Sequence, residues 1–578
     1  LYSIYGTFKI AEGNYHYVHS LYYESAVVIL ALILLGKYLE GVSKGKTSEA
    51  IKKLMSLKSK KANLVRNGEI VQVDIEEVEK GEILLVKPGE SIPVDGKVID
   101  GNSTVDESML TGESIPIDKA AGDIVYGASI NKNGSLKIEA TAVGKDTVIS
   151  KIIKLEENAQ GSKAPIAKIA DKVSAYFVPI VMIIATAAGI IWYYLGSRGI
   201  VEINNTPSIF ALTIFISVMV IACPCSLGLA TPTAIMVGTG RGAELGILIK
   251  SGEALEKAHK VNTVVFDKTG TLTEGKPKVT DILTMEGYKE NDTLQIAGAL
   301  ELHSEHPLGE AIVEEAKNRG LVFPQVNDFI SITGQGVYGK IEESEVLIGN
   351  VKLMKAKNIE ITMKKELDEL ASQGKTPMYM AIDGKFLGII AVADVMKEEA
   401  VDTIKELKER GYKIGMITGD NKITAEAIGK QVGIDMIFAE VTPEDKYLKV
   451  KELQEEGYNV AMVGDGINDS PALVQADVGI AIGGGTDIAM ESADIVLMKR
   501  NLKDVLTAMD LSNATIRNIK QNLFWAFIYN TLGIPIAAGL LYPFTGHLLN
   551  PMIAGGAMAM SSVSVVTNAL RLKNFKKQ

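Results

Sequence analysis

The sequence predicts a multidomain membrane protein, in which an α-helical transmembrane bundle carries a β-rich domain and a doubly wound α/β domain interrupted by an α+β insertion. Three observations predict it. Five apolar stretches form two clusters separated by long soluble sequence. Between the first two stretches, short Val/Ile-rich runs alternate with Gly and Pro turns. Beyond Gly252, apolar strands are each followed by an amphipathic helix, the pattern of a parallel sheet.

Composition sets the frame. A chain of 578 residues exceeds one compact core and suggests about three or four units. It is 47% hydrophobic and 22% charged, with mean hydropathy +0.16, which fits apolar segments joined to large soluble domains. A net charge of −10 and the lack of a polybasic tract exclude a nucleic-acid partner. Cys223 and Cys225 are the only cysteines. One residue apart in an apolar run, they are too close for a structural disulfide framework and are expected as free thiols. The opening LYSIYGTF reads as the tail of an apolar segment, so the chain is expected to be N-terminally truncated.

The apolar stretches run from Tyr22 to Glu40, Tyr176 to Gly196, Ile209 to Gly238, Leu523 to Tyr542 and Leu548 to Val566, against a need of roughly 20 residues to cross the hydrocarbon. Trp192, Tyr193 and Tyr194 and the basic tail RLKNFKKQ read as interface anchors and a cytoplasmic exit. The β-rich pattern fills the insert between the first two stretches, as in EILLVKPGESIPVDGKVID. The strand–helix units NTVVFDKTG, YKIGMITGDNKITAEAIGKQVG and YNVAMVGDGINDSPALVQAD follow, with a separate domain inserted after the first.

VVFDKTGTLT, Val264 to Thr273, ends an apolar strand in a carboxylate at the end where doubly wound sheets bind ligands. Later strand ends supply Thr418, Gly419 and Asp420 in ITGD, Lys446 in TPEDK, and Asp465, Asn468 and Asp469 in VGDGINDSPAL. Phosphoryl transfer to a carboxylate needs these parts: donors for phosphoryl oxygens, a point positive charge, and oxygen ligands for Mg²⁺.

This set resembles the P-type ATPases, whose catalytic domain is similar to the haloacid-dehalogenase hydrolases. The resemblance implies a transmembrane bundle with a β-rich actuator domain, a haloacid-dehalogenase-like phosphorylation domain and an inserted nucleotide-binding domain. The expected partition is membrane segments at 1–43, 166–250 and 506–578, actuator at 44–165, phosphorylation domain at 251–275 and 390–505, and nucleotide domain at 276–389. It implies ATP and Mg²⁺ as cofactors and Asp267 as the residue phosphorylated, with Thr269 and Asp267 joining Asp465 and Asp469 around the metal. Soluble phosphatases of the wider group usually carry an Asp two residues after the nucleophile. Thr269 there implies a longer-lived acyl-phosphate and a hydrolytic base from elsewhere, a role that fits Glu113 of TGES. Glu301 and His306 in ELHSEHPLGEAI, Gly334 and Gly336 in ITGQGVYG, and Gly349 and Asn350 resemble the nucleotide domain of the heavy-metal branch. Asp420 is expected near the nucleotide as well.

In ACPCSLGLATP, Pro224 prevents a regular helix, so both sulfurs can turn toward one cavity. Soft thiolates select Cu(I), and also Zn²⁺ or Cd²⁺. Tyr529 with Asn530, and Met558 with Ser561 and Ser562, resemble the copper(I) and silver exporters of the branch. Zinc and cadmium pumps typically place a Lys and an Asp in these helices, whereas here both segments lack any charged residue. Glu24 and Asp171 match acidic positions near the cytosolic mouth of copper pumps, and solvated helix starts are an equal reading. The resemblance implies ATP-driven export of Cu(I), with Ag(I) as a second ion, by an integral protein of the cell membrane with cytoplasmic catalytic domains and a cytosolic copper chaperone as donor. A Zn²⁺/Cd²⁺ pump and a soluble phosphohydrolase stand as alternatives.

Overall fold

The computed structural model describes residues 2–576 apart from 14, 16–20, 22, 25, 29, 32–33, 36, 39–40, 42–58, 67, 112–115, 162–163, 204–205, 224–225, 305, 333–334, 421, 443, 467–468 and 484–486. Two compact units emerge: residues 1–259 with 507–578, and residues 260–506.

In the first unit the β-rich region is an antiparallel sheet with spatial order Glu69–Asp74, Lys61–Arg66, Ile83–Val86, Leu136–Ala142, Asp95–Asp100 and Ile124–Val125. A smaller sheet joins Ile117–Lys119, Ser103–Asp106 and Ile130–Asn131. Period-two alternation is clearest in LKIEATA, where Leu136, Ile138 and Ala140 are buried and the residues between them are exposed. Leu64, Leu84, Ile92, Val98 and Val105 complete that core. Buried Asp95 accepts hydrogen bonds from Gly127 N and Val148 N, each at 2.7 Å, and so fixes the start of the helix Val148–Gly161.

The apolar stretches become helices whose limits differ from the hydropathy limits. Tyr176 to Gly196 lies inside Pro165–Ser197, a helix roughly 50 Å long at 1.5 Å per residue, well beyond the hydrocarbon thickness. Ile209 to Gly238 is not one span but two helices, Pro207–Ile221 and Leu227–Glu244, interrupted at the Cys-Pro-Cys sequence. Leu523 to Tyr542 belongs to Lys503–Ala537, which begins 20 residues earlier as a polar helix. Leu548 to Val566 lies largely within Pro551–Leu570. Among the described residues, Pro165–Ser197 and Pro551–Asn574 are long and apolar enough to cross a membrane unaided. Tyr22 to Glu40 is described only in part.

In the second unit, strands Ile495–Leu497, Val478–Ile482, Val460–Gly464, Thr263–Asp267, Lys413–Ile417 and Met436–Phe438 run parallel in that spatial order. Thr263–Asp267, Val460–Gly464 and Val478–Ile482 are buried throughout, as a sheet covered on both faces requires. The insertion is a six-stranded antiparallel sheet with order Thr273–Thr284, Lys385–Met396, Thr376–Ile382, Ser344–Gly349, Gly336–Ile341 and Val326–Ile332. Helices Glu290–Glu301 and Pro307–Asn318 contribute to one apolar core. Val351–Ala356 and Lys364–Ser372 contribute to a second. Its entering and leaving strands pair with each other from Thr273↔Met396 to Thr284↔Gly388, so this sheet continues past residues 276 and 389 to the nucleophile loop.

Candidate functional site

Asp267 ends the buried strand TVVFD and is itself only 5% exposed. Gly270, at φ +73°, turns the chain sharply beyond it, a conformation an L side chain rarely adopts. The neighbouring strand ends converge on the same place. Lys446 Nζ lies 2.6 Å from Asp267 Oδ1 and 2.5 Å from Asp469 Oδ1, with all three side chains buried. Gly464 makes room for this arrangement, since a Cβ there would meet Asp469 Oδ2 at 2.4 Å.

Electrostatics follow from that crowding. Burial, and next the charge of Asp469, push Asp267 up to about 7 against the pull of Lys446. Burial likewise raises Asp469. For Lys446 burial acts downward, but the two carboxylates together outweigh it and raise its pKa. Two buried carboxylates for one ammonium leave negative charge that a cation would neutralise. Asp469 Oδ2 is buried without a hydrogen-bond partner, an oxygen of the type a hard divalent cation takes. Among the described residues no three His, Cys, Asp or Glu side chains form a ready-made metal cage. That suits Mg²⁺, which keeps waters and shares phosphate oxygens rather than filling an all-protein cage. The residues present fit that ion.

Thr418 is buried, and its Oγ1 accepts from Asp420 N at 3.1 Å. Asp420 pairs with Lys268 Nζ at 2.7 Å, a contact the sequence reading did not include although Lys268 follows the nucleophile directly. Asp394 is another omission. It bonds Thr273 Oγ1 at 2.5 Å and Gly275 N at 2.9 Å, tying the nucleophile loop to the strand that leaves the inserted domain. Thr269 is exposed and extended at φ −76°, ψ 124°. Gly419 lies in the bend before Asp420, and Asp465 directly follows the strand Val460–Gly464. Asn468 lies outside the described residues.

In the β-rich region Glu113 also lies outside the described residues. Its flanks are braced by ion pairs of Lys119 with buried Glu107 and of Lys132 with Asp106, both at 2.9 Å.

The inserted domain gives its expected nucleotide residues distinct local roles. Glu301 is 3% exposed, and burial raises its pKa. Gly309 packs on it so closely that a Cβ would meet Glu301 Oε2 at 2.3 Å. His306 caps the helix Pro307–Asn318, its Nδ1 accepting from Leu308 N at 3.2 Å while the residue stays exposed. Gly336 and Gly349 face each other across paired strands, and a Cβ on either would strike backbone at about 2.1–2.2 Å. Asn350 caps the helix Val351–Ala356 through Lys352 N and Leu353 N. Gly334 lies outside the described residues.

In the helical region, Cys223, Tyr529 and Met558 share one apolar cluster with Val218 and Ile221. Cys223 is half-buried at the helix break that follows Pro207–Ile221. Cys225 lies outside the described residues. The helix break is bridged by Ser226 and Ser561, whose hydroxyls meet at 2.8 Å in a buried contact. Asn530 is 2% exposed with Oδ1 unpaired, Ser562 is buried, and Tyr529 Oη lies 3.2 Å from Ser564 Oγ. Asn522 joins three helices by bonds to Ala230 O and Asn568. Glu24 and Asp171 are both exposed.

Comparison with known proteins agrees with this geometry. Residues 261–477 match the haloacid dehalogenase-like hydrolase family model, and residues 56–157 match the P-type ATPase actuator domain. The chain is 51% identical over 556 residues to copper-transporting ATPase 2 of Rhizobium meliloti, covering 96% of this chain and 66% of that one. It is 51% identical over 577 residues to the copper-exporting P-type ATPase of Bacillus subtilis, covering 100% and 70%. The chain thus spans about two thirds of the length of these curated relatives. A crystal structure of a zinc-transporting PIB-type ATPase in the E2.Pi state aligns with TM-score 0.64 and 33% identity, covering 99% of this chain and 94% of that one. Identity of this order over nearly the whole chain, with both catalytic modules in order, makes the chain a member of the P-type ATPase family, in the branch that includes copper-exporting pumps.

Proposed function

We propose that this chain is the catalytic and transport portion of an ATP-driven Cu(I) exporter, with Ag(I) as a second ion, working through an aspartyl-phosphate on Asp267. The observation that carries the phosphoryl-transfer reading is the buried Asp267–Lys446–Asp469 contact at the end of the parallel sheet. Asp267 Oδ attacks the γ-phosphorus of ATP, the bond from phosphorus to the β,γ-bridging oxygen breaks, and ADP leaves. Lys446 balances charge at the nucleophile, while Thr418 and Gly419 offer donors to the phosphoryl oxygens. Asp465, Asp469, Asp267 and Thr269 would hold Mg²⁺, which would supply charge neutralisation at the phosphate. Glu113 orients the water that later hydrolyses the acyl-phosphate, and Asn468 stands in the sequence between the two metal aspartates. Glu301, His306, Gly334, Gly336, Gly349, Asn350 and Asp420 serve the nucleotide.

Copper is supported by the relatives' names at about 50% identity and by the chemistry around Cys223. From Gln521 to Leu570 the sequence holds no Asp, Glu, Lys or Arg, so the donors there are neutral, as a monovalent soft cation prefers. Cys223 and Cys225 as thiolates, with Tyr529, Asn530, Met558 and Ser562, form the transport site, and Glu24 and Asp171 line the cytosolic mouth. The actuator occupies 44–165, the phosphorylation domain 251–275 with 390–505, and the nucleotide domain 276–389, all on the cytoplasmic side of the cell membrane. A cytosolic copper chaperone delivers the ion. ATPase activity of the full-length protein under reducing conditions tests the reading: stimulation by Cu⁺ and Ag⁺ is expected, and stronger stimulation by Zn²⁺ or Cd²⁺ would overturn the choice of ion.

A further inference from the structure

Outside both centres, one feature of the first unit combines charge, aromatic surface and membrane level. Arg517, Lys520, Gln521, Phe524 and Trp525 follow one another along one face of the helix Lys503–Ala537, at spacings of three, four, seven and eight residues from Arg517. Asn568 and Arg571, where Pro551–Leu570 ends, form the opposite wall of an open groove of about 480 Å³. Three cationic side chains line it, and none of the lining residues is acidic. This runs against the whole chain, which carries ten more acidic than basic residues.

The position of the groove in the sequence fixes its depth. Lys520 is the last charged residue before an uncharged run that ends at Arg571, so the two helices that build the walls pass between polar and apolar surroundings at the same level. Phe524 and Trp525 sit just inside that boundary, edge to face at 5.7 Å and 58% and 41% exposed. Tryptophan, with its amphipathic ring, settles at the headgroup boundary. The Arg571 guanidinium is oriented by Asn568 Oδ1 at 3.2 Å, and Asn568 is itself held by a bond from its Nδ2 to buried Asn522. Lys520 Nζ rests 3.4 Å from His259 Nε2, and His259 Nδ1 meets Asn513 Oδ1 at 2.6 Å. Two of the three cations are thereby steadied by neutral groups rather than neutralised by carboxylates.

We propose that this groove binds the headgroup of an anionic phospholipid. The phosphodiester sits among Arg517, Lys520 and Arg571, and the acyl chains pass over Phe524 and Trp525. Arginine presents paired donors that match phosphate oxygens, and a cation near an anionic surface adds to the attraction. A soluble phosphate would use the cations and gain nothing from the exposed rings.

The protein carries its own probe. Of the two tryptophans in these 578 residues, Trp192 is 7% exposed and packs on Phe210 and Tyr542, whereas Trp525 lines the groove. Full-length protein in which every tryptophan except Trp525 is replaced by Phe, Trp192 included, is reconstituted into phosphatidylcholine vesicles, and Trp525 fluorescence is followed as brominated phosphatidylglycerol or brominated phosphatidylcholine is added. Phosphatidylglycerol is expected to quench with at least about fivefold higher relative affinity. Arg517→Gln/Lys520→Gln/Arg571→Gln should bring the ratio to about one, with phosphorylation from ATP retained as evidence of folding. Equal quenching by the two lipids in protein with all three cations would overturn the proposal without recourse to any groove variant. A preference that survives the triple substitution, or loss of quenching on adding millimolar inorganic phosphate, would also overturn it.

Discussion

At the end of the parallel sheet, Lys446 Nζ lies within 2.6 Å of a carboxylate oxygen of both Asp267 and Asp469. The helices around the Cys223 break, by contrast, carry no Asp, Glu, Lys or Arg from Pro207 to Gly240 or from Gln521 to Leu570. The two places handle charge in opposite ways. The catalytic centre is held by opposed charges whose removal one at a time leaves an uncompensated ion. In the proposed transport site the donors are soft or neutral, so an incoming monovalent cation would meet no competing ion. A substitution in the first should therefore fail through electrostatics, and one in the second through loss of a specific ligand atom.

The largest expected effect is at the nucleophile. Asp267→Asn keeps size and burial but cannot form the acyl-phosphate, so phosphoenzyme from labelled ATP should disappear. Retention of hydroxylamine-sensitive label in this variant would remove Asp267 from the reaction. Next is Cys223→Ser, in which a hydroxyl replaces the soft sulfur. Cu⁺-stimulated turnover should be lost while phosphorylation of Asp267 from inorganic phosphate persists, because the back reaction needs the catalytic residues and an empty ion site. If both directions fail together, the two centres are not separable in the way the comparison states. Normal Cu⁺ activation would instead discard Cys223 as a ligand.

These two centres also differ in how far they could be read in advance. Asp267, Thr418 and Asp469 were legible because each lies at or just beyond a strand end in a short motif of its own, and Lys446, which opens the helix Lys446–Glu455, was legible from its motif TPEDK. Asp394 was not, since its partners Thr273 and Gly275 lie about 120 residues away in the chain. Asp95 holds Val148 across 53 residues for the same reason. Hydropathy found the membrane segments but not their limits. Lys503 to Asn522 is polar enough to escape an apolar window, although the backbone continues as one helix to Ala537. The break between Ile221 and Leu227 was announced by Pro224, while the Ser226–Ser561 contact across it depends on packing no local pattern encodes.

A smaller effect is expected at Met558, which is 8% exposed in the same cluster as Cys223. Truncation to Ala would mix ligand loss with a cavity worth about 2–5 kcal/mol. Met558→Leu nearly conserves volume and removes only the sulfur. Its melting temperature should stay close to that of the unsubstituted protein, while Cu⁺-stimulated turnover falls severalfold rather than vanishing, as measured by ATPase rate against Cu⁺ concentration. Unchanged turnover would place Met558 among the packing residues alone.

The smallest effect separates structure from recognition within a single residue. His306 Nδ1 accepts the Leu308 N–H at the start of Pro307–Asn318, so its other nitrogen carries the ring proton in the neutral form. The exposed ring is then available to a nucleotide while the cap holds the helix. His306→Ala removes both functions and should lower stability by about 1 kcal/mol, the usual loss for an N-cap. His306→Asn restores a strong capping acceptor without the ring, so thermal unfolding should return to its original midpoint. ATP affinity, measured by titration at a temperature where both variants are folded, should remain roughly tenfold weaker in each, equivalent to about 1.4 kcal/mol. Recovery of ATP affinity in the Asn variant would show that His306 acts only as a cap, and the nucleotide reading of the Ser-Glu-His-Pro sequence would then rest on buried Glu301 alone.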